Sequence, residues 1–197
     1  PSVFDIEPTC FSLDPTRALS HAYLILERSG IAKENVQIAV GLVIPSATNP
    51  DQILYGRRDP LYHTEYQDTW GLPSTGISQE EFLAAGVGGA GLQPVPSRIG
   101  ERKLGGLALE FDQVVGWAGR LRLTGVDPQF ARDYYLILVD VQTKPIVPSS
   151  VPGQTVAYRE FRWLTPQEQV QLVLASPKKA CGACSELATL AARLGKI

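Results

Sequence analysis

Arg57 and Arg58 are adjacent, and Arg120 and Arg122 flank Leu121, so four guanidinium groups fall in two short segments. An arginine fork matches the geometry of a diphosphate or a carboxylate, which makes these residues candidates for holding an anionic group. Alternating arginines also decorate the solvent face of a half-buried strand, and both readings stay open. Trp70, Trp117, Tyr134, Tyr135 and Trp163 offer faces on which a base can stack, although strand aromatics more often serve as core. Cys181 and Cys184 have the spacing of a redox pair at the start of an expected helix. No second Cys-x-x-Cys and no nearby histidine completes a zinc site, so they read as helix-start residues. His21 and His63 are too far apart in sequence for a metal cluster, and His63 reads as a loop residue. The chain has neither a Gly-x-Ser-x-Gly elbow nor a phosphate-binding P-loop, which leaves serine-hydrolase and NTPase readings without support.

The chain has 197 residues, 44% hydrophobic and 19% charged, with a formal net charge of −2. That length suits one well-buried core better than two domains. A slightly negative balance argues against broad phosphate neutralisation, so nucleic acid is not an expected partner. No apolar run has the length of a bilayer span, and the N-terminus lacks the pattern of a signal peptide, so no membrane association is expected. Three cysteines, two of them closely spaced, fit a reducing, cytoplasmic setting. The chain has no methionine, so Pro1 is not expected to be the translation start.

The elements that must position these groups follow from periodicity. Asp14 can cap a helix with Pro15 at its first position, running to Gly30. The apolar, β-branched run Val36 to Ile44, ended by Pro45, reads as a buried strand. A turn at Asn49-Pro50-Asp51 leads to a second strand, Ile53 to Arg58, and the two are expected to form a hairpin. Gly86, Gly88, Gly89, Gly91, Gly100, Gly105 and Gly106 with Pro94 and Pro96 predict a loop over 86–97 and a short helix over 98–110. Strands are expected over 114–122, 134–141 and 158–163. Alternation in the last places Arg159, Phe161 and Trp163 on one face and Tyr158, Glu160 and Arg162 on the other. Thr165-Pro166-Gln167-Glu168 is a capping box opening a helix through Leu174. A final helix is expected from Ser185 to Leu194, closed by Gly195.

Asp68-Thr69-Trp70-Gly71-Leu72-Pro73-Ser74-Thr75-Gly76, followed by Glu80-Glu81, resembles the entry to a Nudix box, the loop and helix with which Nudix hydrolases hold magnesium against a diphosphate. Trp70, Leu72 and Pro73 match the strand entering the loop. Ser74 and Thr75 stand where the family usually has paired glycines, and Glu81 takes the place of the first glutamate. After an insertion, Arg102-Lys103-Leu104 matches the family's Arg-Glu-Leu, because Val114 to Trp117 and Gly119-Arg120 then fall where the next strand belongs. On that register the three helical metal ligands become Lys103, Gly106 and Leu107. Without the insertion, Ala84-Ala85 open the helix, and Gly88 and Gly89 fall in the ligand region. Neither register supplies the carboxylates. Tyr158 to Pro166 looks like the family's last strand entering its C-terminal helix.

The resemblance covers roughly residues 36–175 and implies a Nudix-type α/β/α sandwich with a central mixed β-sheet. Residues 1–35 are then an N-terminal extension with one helix, and 176–197 a C-terminal helix packed on the domain. It implies magnesium (Mg) as cofactor and a nucleotide or other diphosphate-containing small molecule as ligand. Candidate catalytic carboxylates are Glu81, Glu80 and Glu101. Candidate metal ligands are Glu81 and Glu110, with Asp112 a further oxygen donor. Arg57, Arg58, Trp70, Arg120 and Arg122 would lie on the substrate side. Two functions are compatible with this pattern. One is a divergent Nudix hydrolase acting through unconventional ligands. The other is a non-catalytic Nudix-fold module that binds a nucleotide-like ligand, a protein partner or a second copy of itself.

Overall fold

The computed structural model describes residues 4–6, 11–12, 36–62, 68–85, 89–123 and 134–175. In chain order the strands are β1 (Phe4–Ile6), β2 (Phe11–Ser12), β3 (Val36–Val43), β4 (Ile53–Arg58), β5 (Trp70–Gly71), β6 (Ser74–Ile77), β7 (Phe111–Leu123), β8 (Tyr134–Thr143) and β9 (Tyr158–Leu164). The α-helices are α1 (Gln79–Ala84), α2 (Val95–Lys103) and α3 (Pro166–Ala175). The larger sheet runs β1-β7-β8-β3-β6, with β2 also on β7, and the smaller runs β5-β4-β9. β3 and β8 are parallel and their neighbours antiparallel, so the central sheet is mixed, as expected. Among the described residues no helix is long and apolar enough to cross a membrane.

The layering follows from alternation along the strands. Ile38, Val40 and Leu42 of β3, with Val139 and Val141 of β8 and Leu54 of β4, join Phe82, Val95 and Ile99 in one buried cluster under α1 and α2. Val43, Ile53, Tyr55, Trp70 and Leu72 form the second cluster, on which Leu172 of α3 packs. β3 is therefore apolar in both directions because helices cover both of its faces. α3 opens on the expected capping box. The Thr165 amide donates to Glu168 Oε2 at 2.7 Å and the Glu168 amide to Thr165 Oγ1 at 3.4 Å. Buried Gln169 then accepts from the Tyr55 hydroxyl at 3.4 Å and donates to the Leu164 carbonyl at 3.0 Å, tying α3 to the smaller sheet.

The structure corrects four expectations. β3 and β4 do not make a hairpin inside one sheet. They separate into the two sheets after a single bridge, Pro45 to Ile53. The helix expected over 98–110 spans Val95–Lys103, because a proline in the first turn costs no intrahelical hydrogen bond. Gly105 and Gly106, at φ of 70° and 84°, turn the chain out of the helix just after it. The strand expected to enter the loop at Trp70 is present as β5, but the loop segment after Pro73 forms a further strand, β6, in the other sheet. Finally, Tyr158 shares the first buried cluster with Phe161 and Trp163 instead of facing away from them. Arg57 pairs with Glu160 but Arg58 with Tyr158, so a β-bulge at Arg159 moves Tyr158 to the other face. The helices expected over 14–30 and 185–194 lie outside the described residues. The short strands β1 and β2 of the N-terminal extension add to the free side of β7.

α2 lies so close to the chain that follows it that a Cβ on Gly100 would stand 2.0 Å from the Leu107 carbonyl oxygen. Helix propensity alone favours alanine over glycine by about 1 kcal/mol. Overpacking costs about 1–3 kcal/mol, and an immovable backbone oxygen puts this site at the upper end. Gly100→Ala is therefore expected to lower the urea unfolding midpoint. An unchanged or higher midpoint would refute this close approach.

Candidate functional site

Ser74, the first residue of β6, is where the two sheets and α2 meet. It lies opposite Gly41 of β3, and its amide donates to the phenol oxygen of Tyr158 on β9 at 3.2 Å. Its hydroxyl accepts from Arg58 Nη2 at 2.8 Å, and its carbonyl accepts from Lys103 Nζ at 2.6 Å. Two cationic side chains, one from β4 and one from the last turn of α2, thus end on a single half-buried residue. The Lys103 ammonium also stands 5.9 Å from the ring centre of Tyr62, which is 44% exposed. Sequence reasoning singled out Arg58 but took Lys103 only as a missing carboxylate, and it overlooked Tyr62.

Arg57 and Arg58 go separate ways, because successive side chains on a strand point to opposite faces. Arg57 meets Asp68 at 2.9 Å and Glu160 at 4.0 Å. Arg162 also meets Glu160, at 2.9 Å, while Arg159 meets Asp59 at 3.1 Å and Asp68 at 3.9 Å. These six residues form a belt of alternating charge along the smaller sheet. Trp70 is buried in the second core cluster, with the Arg162 guanidinium 4.6 Å from its ring centre. Arg120 and Arg122 lie on β7, where Arg122 pairs with Asp5 on one side and Tyr135 on the other; their side chains lie outside the described residues. So do His63, Cys181 and Cys184.

The candidate carboxylates do not converge. Glu81 lies on α1 and forms a reciprocal capping box with Ser78. Its amide donates to Ser78 Oγ and its Oε2 accepts from the Ser78 amide, both at 3.0 Å. Its other oxygen accepts from Arg98 Nη1 of α2 at 2.6 Å. Glu80 is exposed beside it, and Glu101 is exposed on α2. Glu110 pairs with Lys144 at 2.5 Å, and Asp112 accepts from Gln142 at 3.0 Å. Magnesium takes hard oxygen ligands. Among the described residues no three acids, histidines or cysteines gather where one ion could touch them. Position 103 offers an ammonium, and Gly106 and Leu107 lie beyond the end of α2 with no side-chain oxygen. The donor set therefore does not fit the magnesium site that the resemblance implies.

The hydrogen bond from Arg98, and then the Ser78 amide, hold the Glu81 carboxyl below its ordinary range. A depressed folded-state pKa contributes stability above the unfolded value, lost as pH falls through the folded one. With Arg98 and Glu81 side chains 31% and 43% exposed, solvent screening keeps that contribution below about 1 kcal/mol. In Arg98→Ala, the Glu81 carboxyl carbon, followed by NMR titration, should move its midpoint up toward the ordinary carboxylate range. An unmoved midpoint would show that the ion pair is not the main cause.

No family model matches the sequence, and no curated protein matches it. Among solved structures, the MutT protein from Methanosarcina mazei Go1 is similar at TM-score 0.52 and 14% identity, over 82% of this chain and 94% of that one. A NUDIX hydrolase from Nitrosomonas europaea gives TM-score 0.47 at 12% identity, over 81% and 90%. A bifunctional NMN adenylyltransferase/ADP ribose pyrophosphatase from Francisella tularensis gives 0.47 at 11%, over 91% of this chain and 46% of that one. The Methanosarcina structure carries the comparison, and at such low identity the likeness is one of fold, which leaves activity to be argued from the site. With helices on both faces of a mixed central sheet, and with that structure matched over nearly its whole length, the chain has the Nudix fold.

Proposed function

We propose that this Nudix-fold protein binds an anionic, nucleotide-like ligand through its diphosphate and has lost the magnesium-dependent hydrolysis that the family resemblance implies. The observation that carries the reading is the meeting of Arg58 and Lys103 at Ser74, in the segment where the resemblance sets metal and diphosphate. Carboxylates at such a site repel a diphosphate and require a metal between them. With an ammonium at position 103 and no carboxylate at 106 or 107, a diphosphate has less need of an ion to screen it. Arg57 is answered by Asp68 and Glu160 and adds little net charge, while Arg120 and Arg122 belong to the same reading through the resemblance alone. The reducing, cytoplasmic setting expected from cysteine usage suits a nucleotide-like ligand.

A second reading, docking of a protein partner, draws on Leu61 and Val156. They are 94% and 68% exposed and flank the backbone hydrogen bond from the Asp59 amide to the Ala157 carbonyl. It becomes the better one if no small ligand binds.

Phosphate release from ADP-ribose, dinucleoside polyphosphates and NADH, with magnesium and with manganese, is expected to be weak or absent. Turnover in the usual enzyme range of ~1–1,000 per second would overturn the loss of hydrolysis. Calorimetry with ADP-ribose should give the same affinity with and without EDTA. Raising salt from ~0.1 M to ~1 M shortens the Debye length from ~10 Å to ~3 Å, and the affinity should fall several-fold with it. Binding only after metal is added would show that an ion site exists after all.

A further inference from the structure

We infer that the outer edge of β9 is a self-association surface: a second copy of this chain adds its own β9 there, antiparallel and centred on Phe161, so that the two smaller sheets become one continuous sheet. This goes beyond the ligand reading and does not rest on it. β9 ends the smaller sheet, and among the described residues only β4 pairs with it. The Leu54 and Arg58 amides point away from β9, to the Ile44 and Thr69 carbonyls. Backbone groups alternate along a strand, so Ile53, Tyr55 and Arg57 face β9 and meet Leu164, Arg162 and Glu160 opposite them. Phe161 and Trp163 therefore turn their amides and carbonyls outward, a template for a further strand.

The side chains argue for a second copy and fix its register. Outward backbone groups must meet outward ones, so a two-fold axis passes through a residue of β9 and not between two. With the axis at Phe161, Glu160 of each copy lies opposite Arg162 of the other, in a non-hydrogen-bonded pair, where side chains come closest. Moving the axis one residue either way sets Glu160 against Glu160 or Arg162 against Arg162, and like charges directly opposite are destabilising. Within one strand Glu160 and Arg162 already meet at 2.9 Å, with side chains 40% and 51% exposed. Across the axis four charges then alternate, each beside two of opposite sign, and such a network is worth more than isolated surface pairs. On the other face Phe161, half-buried with its ring 5.4 Å from that of Tyr158, meets Phe161 of the second copy. The bulge at Arg159 sits at the limit of this overlap. An interface of this kind is isologous, so it closes as a dimer and does not propagate into a fibre.

Sedimentation of the full chain, diluted from millimolar to micromolar concentration, should show a monomer–dimer equilibrium. Arg162→Glu sets a second carboxylate against Glu160 at two places across the axis and should weaken the dimer about tenfold, whereas exchanging the two charges in E160R/R162E should bring it nearly back. Both variants lose the guanidinium that stacks on Trp70, so the difference between them reports charge pairing. If R162E folds poorly, hydrogen exchange of the unaltered protein decides. The Phe161 and Trp163 amides should exchange more slowly as concentration rises, while the Arg162 amide, turned toward β4, should change little. A chain that stays monomeric at every concentration overturns the inference. So does a dimer indifferent to R162E, or one in which the Phe161 amide exchanges as fast as in the monomer.

Discussion

The chain crosses from the smaller sheet to the larger between Gly71 and Ser74, and the hydrogen bonds at that crossing hold the two sheets in register. Gly71 pairs with Gly56 of β4, and three residues later Ser74 pairs with Gly41 of β3. Between them the Pro73 carbonyl accepts from the Leu42 amide at 2.8 Å, while Leu72 is buried. Tyr158, fully buried on β9, brings its phenol oxygen to the Ser74 amide. A buried phenol without a partner costs about 1–3 kcal/mol, so this bond restrains the relative position of the sheets as well as the side chain. The backbone of Ser74 takes its position from that restraint. Ser74 presents its carbonyl and hydroxyl to α2 and β4 because its amide and its strand neighbours fix its backbone.

The distribution of charge then separates structural groups from those available for chemistry. The acids that might have held an ion are occupied in holding the fold: Glu81 joins α1 to α2 through Arg98, and Glu110 meets Lys144 on the chain after β8. Exposed pairs of this kind contribute little energy each, but among the described residues they leave no cluster of three acids for an ion. The belt of Asp59, Arg159, Asp68, Arg57, Glu160 and Arg162 does the same on the smaller sheet, where three arginines are answered by three acids. Arg58 and Lys103 both reach the neutral oxygens of Ser74, its hydroxyl and its carbonyl.

What could be read from the sequence was what is local. β3, β7, β8 and β9 show in runs of β-branched and aromatic residues, and the cap of α3 shows in Thr165 and Glu168, because each depends on neighbours a few residues away. Ser78 and Glu81 carry the same capping spacing. That signal was present, and the metal reading of Glu81 obscured it. The division of β3 and β4 between two sheets depends on which distant strand each one meets, and no local pattern encodes it. The bulge that turns Tyr158 inward is one extra residue on β9, visible only against β4. The reach of Lys103 to Ser74 spans 29 positions, so this contact could not emerge from spacing on a helix.

The end of α2 limits how this chain can change. Gly105 and Gly106 have left-handed backbones, and the Leu107 carbonyl lies against Gly100. Glutamates introduced at 106 and 107 would stand on a turn pointing away from the helix face, and any side chain at 106 would strain the backbone that makes the turn. A metal-holding helix here would require the whole segment from Gly100 to Leu107 to be rebuilt, with α2 extended and its packing against the following chain undone. Single replacements at 106 and 107 therefore do not lengthen α2, while a replacement at Arg58, Tyr62 or Lys103 leaves that turn untouched.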